Sequence, residues 1–147
     1  MTINDEHITT HFGRIWPAHV EALTELLIKL RQHFDGDLDL MLILAIIGTR
    51  SQPSRQTNTM TYAQFISGDR PLPASRPINI QSVAECSGIA RETVRRKVAK
   101  LADMGLIKRE QSGNLMITAQ ATNTLTSSTE ASLQYLVEMQ KHYQEKE

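Results

Sequence analysis

Apolar residues recur at helical spacing early in the chain, at Val20, Leu23, Leu27, Leu30 and Phe34, with Leu26 and Ile28 widening the stripe. Pro17, followed by Ala18-His19-Val20-Glu21, reads as the first position of a helix, where a missing N–H costs nothing; Asp35-Gly36-Asp37 then ends it near His33. The next run, Leu38 to Ile47, is apolar on almost every side and predicts a short helix buried on most sides, with Gly48 as its stop. From Thr49 to Ser75 the residues are largely Ser, Thr, Gln, Arg and Pro, the composition of a loop, and only Thr61 to Ser67 reads as a helical turn. A loop of this length is a candidate for ordering on contact with a partner. Near the other end, Leu133, Leu136, Val137, Met139 and Tyr143 predict an amphipathic helix from Glu130 to Lys146. The first and last helices keep apolar edges that pairing across a two-fold axis would cover, so a homodimer is expected.

The middle of the chain is patterned more tightly. Asn79 is placed as an N-cap, with Ile78 and Val83 as a hydrophobic staple around it, and the helix that follows stops at Ser87-Gly88. Ile89 repeats the staple with Val94, and a second helix runs from Arg91 to Met104, ended by Gly105. At 100° per residue, Val94, Val98 and Leu101 fall within about 60° of one another and face the core. Opposite them lie Glu92, Thr93, Arg96, Ala99 and Lys100, with Arg91 and Arg95 on one flank. Leu106-Ile107-Lys108-Arg109-Glu110 and Leu115-Met116-Ile117-Thr118 then read as two strands joined by Gln111-Ser112-Gly113-Asn114, a hairpin turn.

Charge sharpens this picture. The formal net charge is zero, but residues 1–40 hold three Lys/Arg against seven Asp/Glu, whereas 79–110 hold seven against four. A positive face is therefore compatible with a neutral total. On the outer face of the second helix, Arg can donate paired hydrogen bonds to guanine, Glu can accept from cytosine and Lys can meet phosphates. The length of 147 residues suits one compact body, and 40% hydrophobic residues are too many for a wholly disordered chain. Cys86 is alone, which excludes an intramolecular disulfide framework and a cysteine-rich zinc site and makes a reducing cytoplasmic setting the expectation. The first residues lack the order of a signal peptide, and the apolar run from Leu40 to Ile47 is too short to span a bilayer, so no membrane partner is expected.

Helix, glycine turn, basic helix, glycine and hairpin, in that order, resemble the winged helix-turn-helix of bacterial transcriptional regulators of the MarR, GntR and IclR kinds. Their pattern V-A-E-x-x-G-I-x-R-x-T-V-R-R-x-V-x-x-L-x-x-x-G-L-I is matched from Val83 to Ile107, and the likeness covers about 40 of the 147 residues. In those families the second helix lies in the major groove and the wing touches the backbone or minor groove of double-stranded DNA. The resemblance carries these roles onto Arg91, Glu92, Thr93, Arg95 and Arg96, and onto Lys108, Arg109 and Asn114. Lys100 joins the set by its place on the outer face. Two positions depart from the pattern: Ala90 stands where Ser or Thr commonly caps the helix, at a cost of about 1 kcal/mol, and Ser87 stands where Leu is frequent.

Other chemistry is weaker. His7 and His11 are spaced as helical metal ligands, with His19 or His33 as further candidates, but no carboxylate or thiol joins them at a recognisable spacing, so neither metal nor cofactor is expected. Cys86 reads as a semi-buried structural residue. Trp16, Phe34, Tyr62 and Phe65 are core candidates that would also serve as the lining of a small-molecule effector pocket. With no nucleophile elbow, phosphate loop or metalloprotease motif, the chain is not read as an enzyme and no catalytic residue is assigned.

The expected fold is thus mainly α with a small β-hairpin wing. An N-terminal helical region with a long polar loop (1–75) precedes a winged helix-turn-helix (76–118) and a C-terminal dimerisation helix (119–147). The expected function is sequence-specific DNA binding as a transcriptional regulator; the alternative is a winged-helix module for protein interaction or DNA architecture.

Overall fold

The computed structural model describes residues 5–51, 59–67 and 78–144. Expectations about the polar loop that concern residues 52–58 and 68–77 lie outside the described residues. The described elements are mainly helical, with one small hairpin: α1 (Glu6–Thr10), α2 (Phe12–His33), α3 (Leu38–Ser51), α4 (Tyr62–Ser67), α5 (Ile80–Ser87), α6 (Arg91–Asp103), β1 (Ile107–Arg109), β2 (Leu115–Ile117), α7 (Ala119–Thr124) and α8 (Thr126–Gln144). They group into two compact units. One comprises Met1–Gly36 with Ser127–Glu147, the other Asp37–Thr126. The boundary expected near residue 75 therefore falls elsewhere, because α3 packs against α5, α6 and β2 and belongs with them.

In the unit Asp37–Thr126, α3 supplies the centre of the core through Leu40, Ile43 and Ile47, all fully buried. The helix does not stop at Gly48 but continues to Ser51. A glycine inside a helix costs about 1 kcal/mol relative to alanine, an amount that packing overrides. Gly48 lies against β2, where an added Cβ would meet Ile117 Cδ1 at 3.8 Å, an ordinary contact. Asp37 caps the start of α3, its Oδ1 accepting from the Leu40 N–H at 3.0 Å. The short α4 opens on a capping box: Thr61 Oγ1 accepts from the Gln64 N–H (3.2 Å), and Gln64 Oε1 accepts from the Thr61 N–H (2.8 Å).

The unit Met1–Gly36 with Ser127–Glu147 is built mainly from α2 and α8. Helix α2 begins at Phe12, five residues before the expected start, and holds Pro17 inside it. Pro17 forfeits one backbone hydrogen bond, yet Ile15 is already buried ahead of it and Phe12, Trp16 and Val20 continue one stripe. Helix α8 likewise starts before Glu130, at Thr126, and the separate short helix α7 precedes it within the segment 119–147. The two long helices run in opposite directions. Arg14 Nε donates to the His142 carbonyl (3.2 Å), His19 Nδ1 shares a hydrogen bond with the Tyr135 hydroxyl (2.7 Å), and His33 Nδ1 shares one with Ser128 Oγ (2.9 Å). Among the described residues no helix is long and apolar enough to cross a membrane.

Candidate nucleic-acid interface

Local capping chemistry sets α5 and α6. Asn79 Oδ1 accepts from the Ser82 N–H at 2.9 Å, and the staple residues Ile78 and Val83 are both buried. Gly88 ends α5 with φ +73°, a left-handed conformation that glycine adopts without a Cβ penalty. Three residues later α6 begins, and Ala90 makes no side-chain cap, as its methyl group requires. The other end of α6 is closed by a Schellman motif: the Leu106 N–H donates to the Leu101 carbonyl (3.0 Å), and the Gly105 N–H to that of Ala102 (2.9 Å). Gly105 has φ +76°, and Leu101 and Leu106 are fully buried beside the motif.

This closure delivers the chain directly into the hairpin. β1 and β2 pair antiparallel, with Ile107 opposite Ile117, Lys108 opposite Met116 and Arg109 opposite Leu115. The Glu110 N–H donates to the Asn114 carbonyl (2.8 Å) and the Gly113 N–H to the Glu110 carbonyl (2.9 Å), so Gln111-Ser112-Gly113 form the tip, with Gly113 at φ +89°. Two further bonds fix the hairpin to its unit. The Leu115 N–H donates to the Ile78 carbonyl at 2.8 Å, and Thr118 Oγ1 donates to the Gly105 carbonyl at 2.6 Å while also capping α7.

The residues expected to form the site lie on this one frame. Val94, Val98 and Leu101 are buried. Arg91, Glu92, Arg95, Arg96 and Lys100 are exposed on α6, and Thr93 is half-buried. Lys108 and Arg109 are exposed on β1, which packs against α6; Asn114 is half-buried at the base of the hairpin tip. Among the described residues Arg91, Arg96 and Lys100 form no ion pair. Arg95 does, with Glu92. The hydrogen bonds from Arg95 hold the Glu92 carboxyl below its ordinary range, with a smaller contribution from the charges of Arg95, Arg96 and Arg91.

Lys97, which sequence reasoning left unassigned, points away from the exposed cations. Its Nζ lies 2.5 Å from Asp37 Oδ2, tying α6 to the cap of α3. Burial pushes the Asp37 carboxyl up, but the hydrogen bonds from Lys97 and the Leu40 amide, with the charges of Lys97 and Lys100, outweigh it and leave the group below its ordinary value.

The remaining candidates take other places. Cys86 is exposed on α5 and not semi-buried, because Ile80 and Val83 take the inner face of that short helix. His7 and His11 have ring centroids 4.6 Å apart, and His7 Nε2 shares a hydrogen bond with the Tyr143 carbonyl (2.8 Å). Among the described residues no group of three or more His, Cys, Asp or Glu is placed to hold a metal ion. Phe34 is buried and Trp16 stacks on Phe12 with centroids 5.5 Å apart, whereas Tyr62 and Phe65 sit on α4 in the other unit. Comparison with protein-family models, curated proteins and solved structures gave no match.

Proposed function

We propose that the chain is a winged helix-turn-helix protein that binds double-stranded DNA in a sequence-dependent way and regulates transcription, with α6 in the major groove and the β1–β2 hairpin on the backbone or minor groove. The observation that carries this reading is the division of α6 into two faces. Val94, Val98 and Leu101 are consumed by the core, while Arg91, Arg95, Arg96 and Lys100 stand in solvent beside Lys108 and Arg109 of the hairpin. Among the described residues Arg91, Arg96 and Lys100 have no ion-pair partner and Arg95 pairs only with its neighbour Glu92, and cations so placed on a helix narrow enough for a major groove suit phosphates and base edges. Charge by unit supports the same division of labour. Asp37–Thr126 carries eleven Lys/Arg against seven Asp/Glu, a formal +4, whereas Met1–Gly36 with Ser127–Glu147 carries five against nine, a formal −4. The basic unit attracts a polyanion and the acidic one repels it.

The acidic unit is the proposed dimerisation element. Phe12, Trp16, Val20, Ile28, Leu136 and Val137 are all exposed there, and a second copy of the chain covers such a surface with matching apolar groups. A dimer reads two half-sites about one helical turn apart. The test is selection from a random duplex pool by the full-length chain at two salt concentrations, together with its mass in solution. Enrichment of a palindrome by a dimer is the expected result. Salt-sensitive binding without enrichment would instead establish an architectural role, and no binding at all would leave the protein-interaction alternative.

A further inference from the structure

We propose that Glu92 does not itself read DNA but aims Arg95, holding its guanidinium on the outer face of α6 so that the free edge of that group reads one guanine. The inference rests on the DNA-binding reading above. Arg95 is rooted on the flank of α6, about 100° around the helix from the buried Val94, a position from which an unrestrained side chain reaches sideways toward phosphates. Glu92 is rooted about 160° from Val94, facing outward, and almost one turn nearer the helix N-terminus. Its carboxylate accepts from Arg95 Nε at 3.1 and 3.0 Å and from Nη2 at 2.5 Å. The guanidinium is therefore drawn from the flank toward the outward face and toward the end of the helix whose residues meet base edges in helix-turn-helix proteins.

The direction of approach matters as much as the distance. Glu92 takes the side of the fork, using Nε–H and one Nη2–H. Of the five N–H donors, the second on Nη2 and both on Nη1 are left, and the adjacent pair at the end of the fork has the spacing that meets guanine O6 and N7 together. Holding a long side chain in place before binding also removes an ordering cost otherwise met on the DNA. Because the pair is neutral, it contributes selectivity and little general attraction, which falls to Arg91 and Lys100 of α6 with Lys108 and Arg109 of the hairpin. Glu92 thereby moves from the cytosine-accepting role its residue type implies to that of a positioning residue.

The test uses the full-length chain, Glu92→Ala and Arg95→Ala on the duplex enriched from the random pool, and on the same duplex with each guanine replaced in turn by 7-deazaguanine, which lacks the N7 acceptor. For the unsubstituted protein, one replacement is expected to weaken binding about tenfold. Both variants should be indifferent to that replacement, and Glu92→Ala, having shed a negative charge, should bind random-sequence duplex at least as tightly as before. A merely structural role for Glu92 would shift thermal unfolding and weaken every duplex alike. The proposal falls, and DNA binding stands, if Glu92→Ala keeps the full penalty at that guanine, if no guanine carries one, or if Arg95→Ala weakens all duplexes equally. Absence of salt-sensitive duplex binding by the unsubstituted protein would remove both readings.

Discussion

The two units of this chain divide their apolar residues between core and surface in different proportions. In Asp37–Thr126, Leu40, Ile43, Ile47, Val83, Val94, Leu101 and Leu106 are fully buried, and the exposed face of α6 is left to charge. In Met1–Gly36 with Ser127–Glu147, the buried apolar residues among those described are Ile15, Phe34 and Ala131, while Phe12, Trp16 and Ile28 are each about half exposed. One unit has the larger core, with Leu38, Leu42, Tyr62 and Ile66 exposed on α3 and α4, and offers cations on α6. The other offers more of its large apolar side chains to solvent, the surface that the proposed dimer would cover. Stability and assembly should therefore respond to different substitutions.

The largest expected effect is in the core of Asp37–Thr126. Leu101→Ala removes a fully buried side chain shared by α6 and the Schellman closure, and should cost about 2–5 kcal/mol in urea unfolding. Trp16→Ala, on the other side of the comparison, should barely change unfolding of the isolated chain but should shift the solution mass toward monomer. Trp16 is the only tryptophan, so its fluorescence should also shift to the blue as protein concentration rises. A Trp16 spectrum independent of concentration, with a monomeric mass throughout, would break the comparison at the acidic unit.

Next in size is Asp37→Ala, which loses both the α3 cap and the partner of Lys97, at about 1–3 kcal/mol. The carboxyl is held below 3.8, its ordinary value. Its contribution is thus present above that pH and lost as pH falls through the lower folded-state value. Asp37→Asn keeps a capping oxygen without the charge, so it should flatten the stability loss expected of the unsubstituted chain below about pH 4. Of similar size is the pair Arg96→Ala and Lys108→Ala. The first should relax preference at one base position by about 1–3 kcal/mol, and the second should weaken all sequences alike and lower the salt slope by about 1. The smallest effect is a gain: Ala90→Ser supplies the missing cap of α6 and should add about 1 kcal/mol.

What the sequence disclosed follows the same division. From Asn79 to Thr118 the determinants are local: a side-chain cap at Asn79, the buried Ile78 and Val83 around it, and left-handed turns at Gly88, Gly105 and Gly113. Each is written within a few residues, so helix, turn, helix and hairpin were legible, as was the buried line of Val94, Val98 and Leu101. Elsewhere the deciding contacts are distant or compete with local signals. Pro17 reads as a helix start, but packing of Ile15 carries α2 back to Phe12. The Ser- and Thr-rich stretch from Thr118 to Thr129 carries no apolar periodicity, and its hydroxyls compete for backbone groups. In the fold Thr118 caps α7, and Thr126 Oγ1 donates back to the Thr122 and Asn123 carbonyls. Asp37 and Lys97 are sixty positions apart, beyond any periodicity argument. For the candidate site, the spacing of Glu92 and Arg95 was visible, whereas the side-on approach of the carboxylate was not.

The most direct test of the central claim is the salt dependence of duplex binding, measured for the full-length chain and for a variant carrying Arg91→Ala, Arg96→Ala and Lys100→Ala together. If the outer face of α6 meets phosphates and bases, log K should fall linearly with log salt. The triple variant should bind more weakly, with a slope shallower by as much as about 3, since each neutralised phosphate contributes about 0.9. An unchanged slope in the variant, or no salt-dependent binding by the unsubstituted chain, would contradict the account.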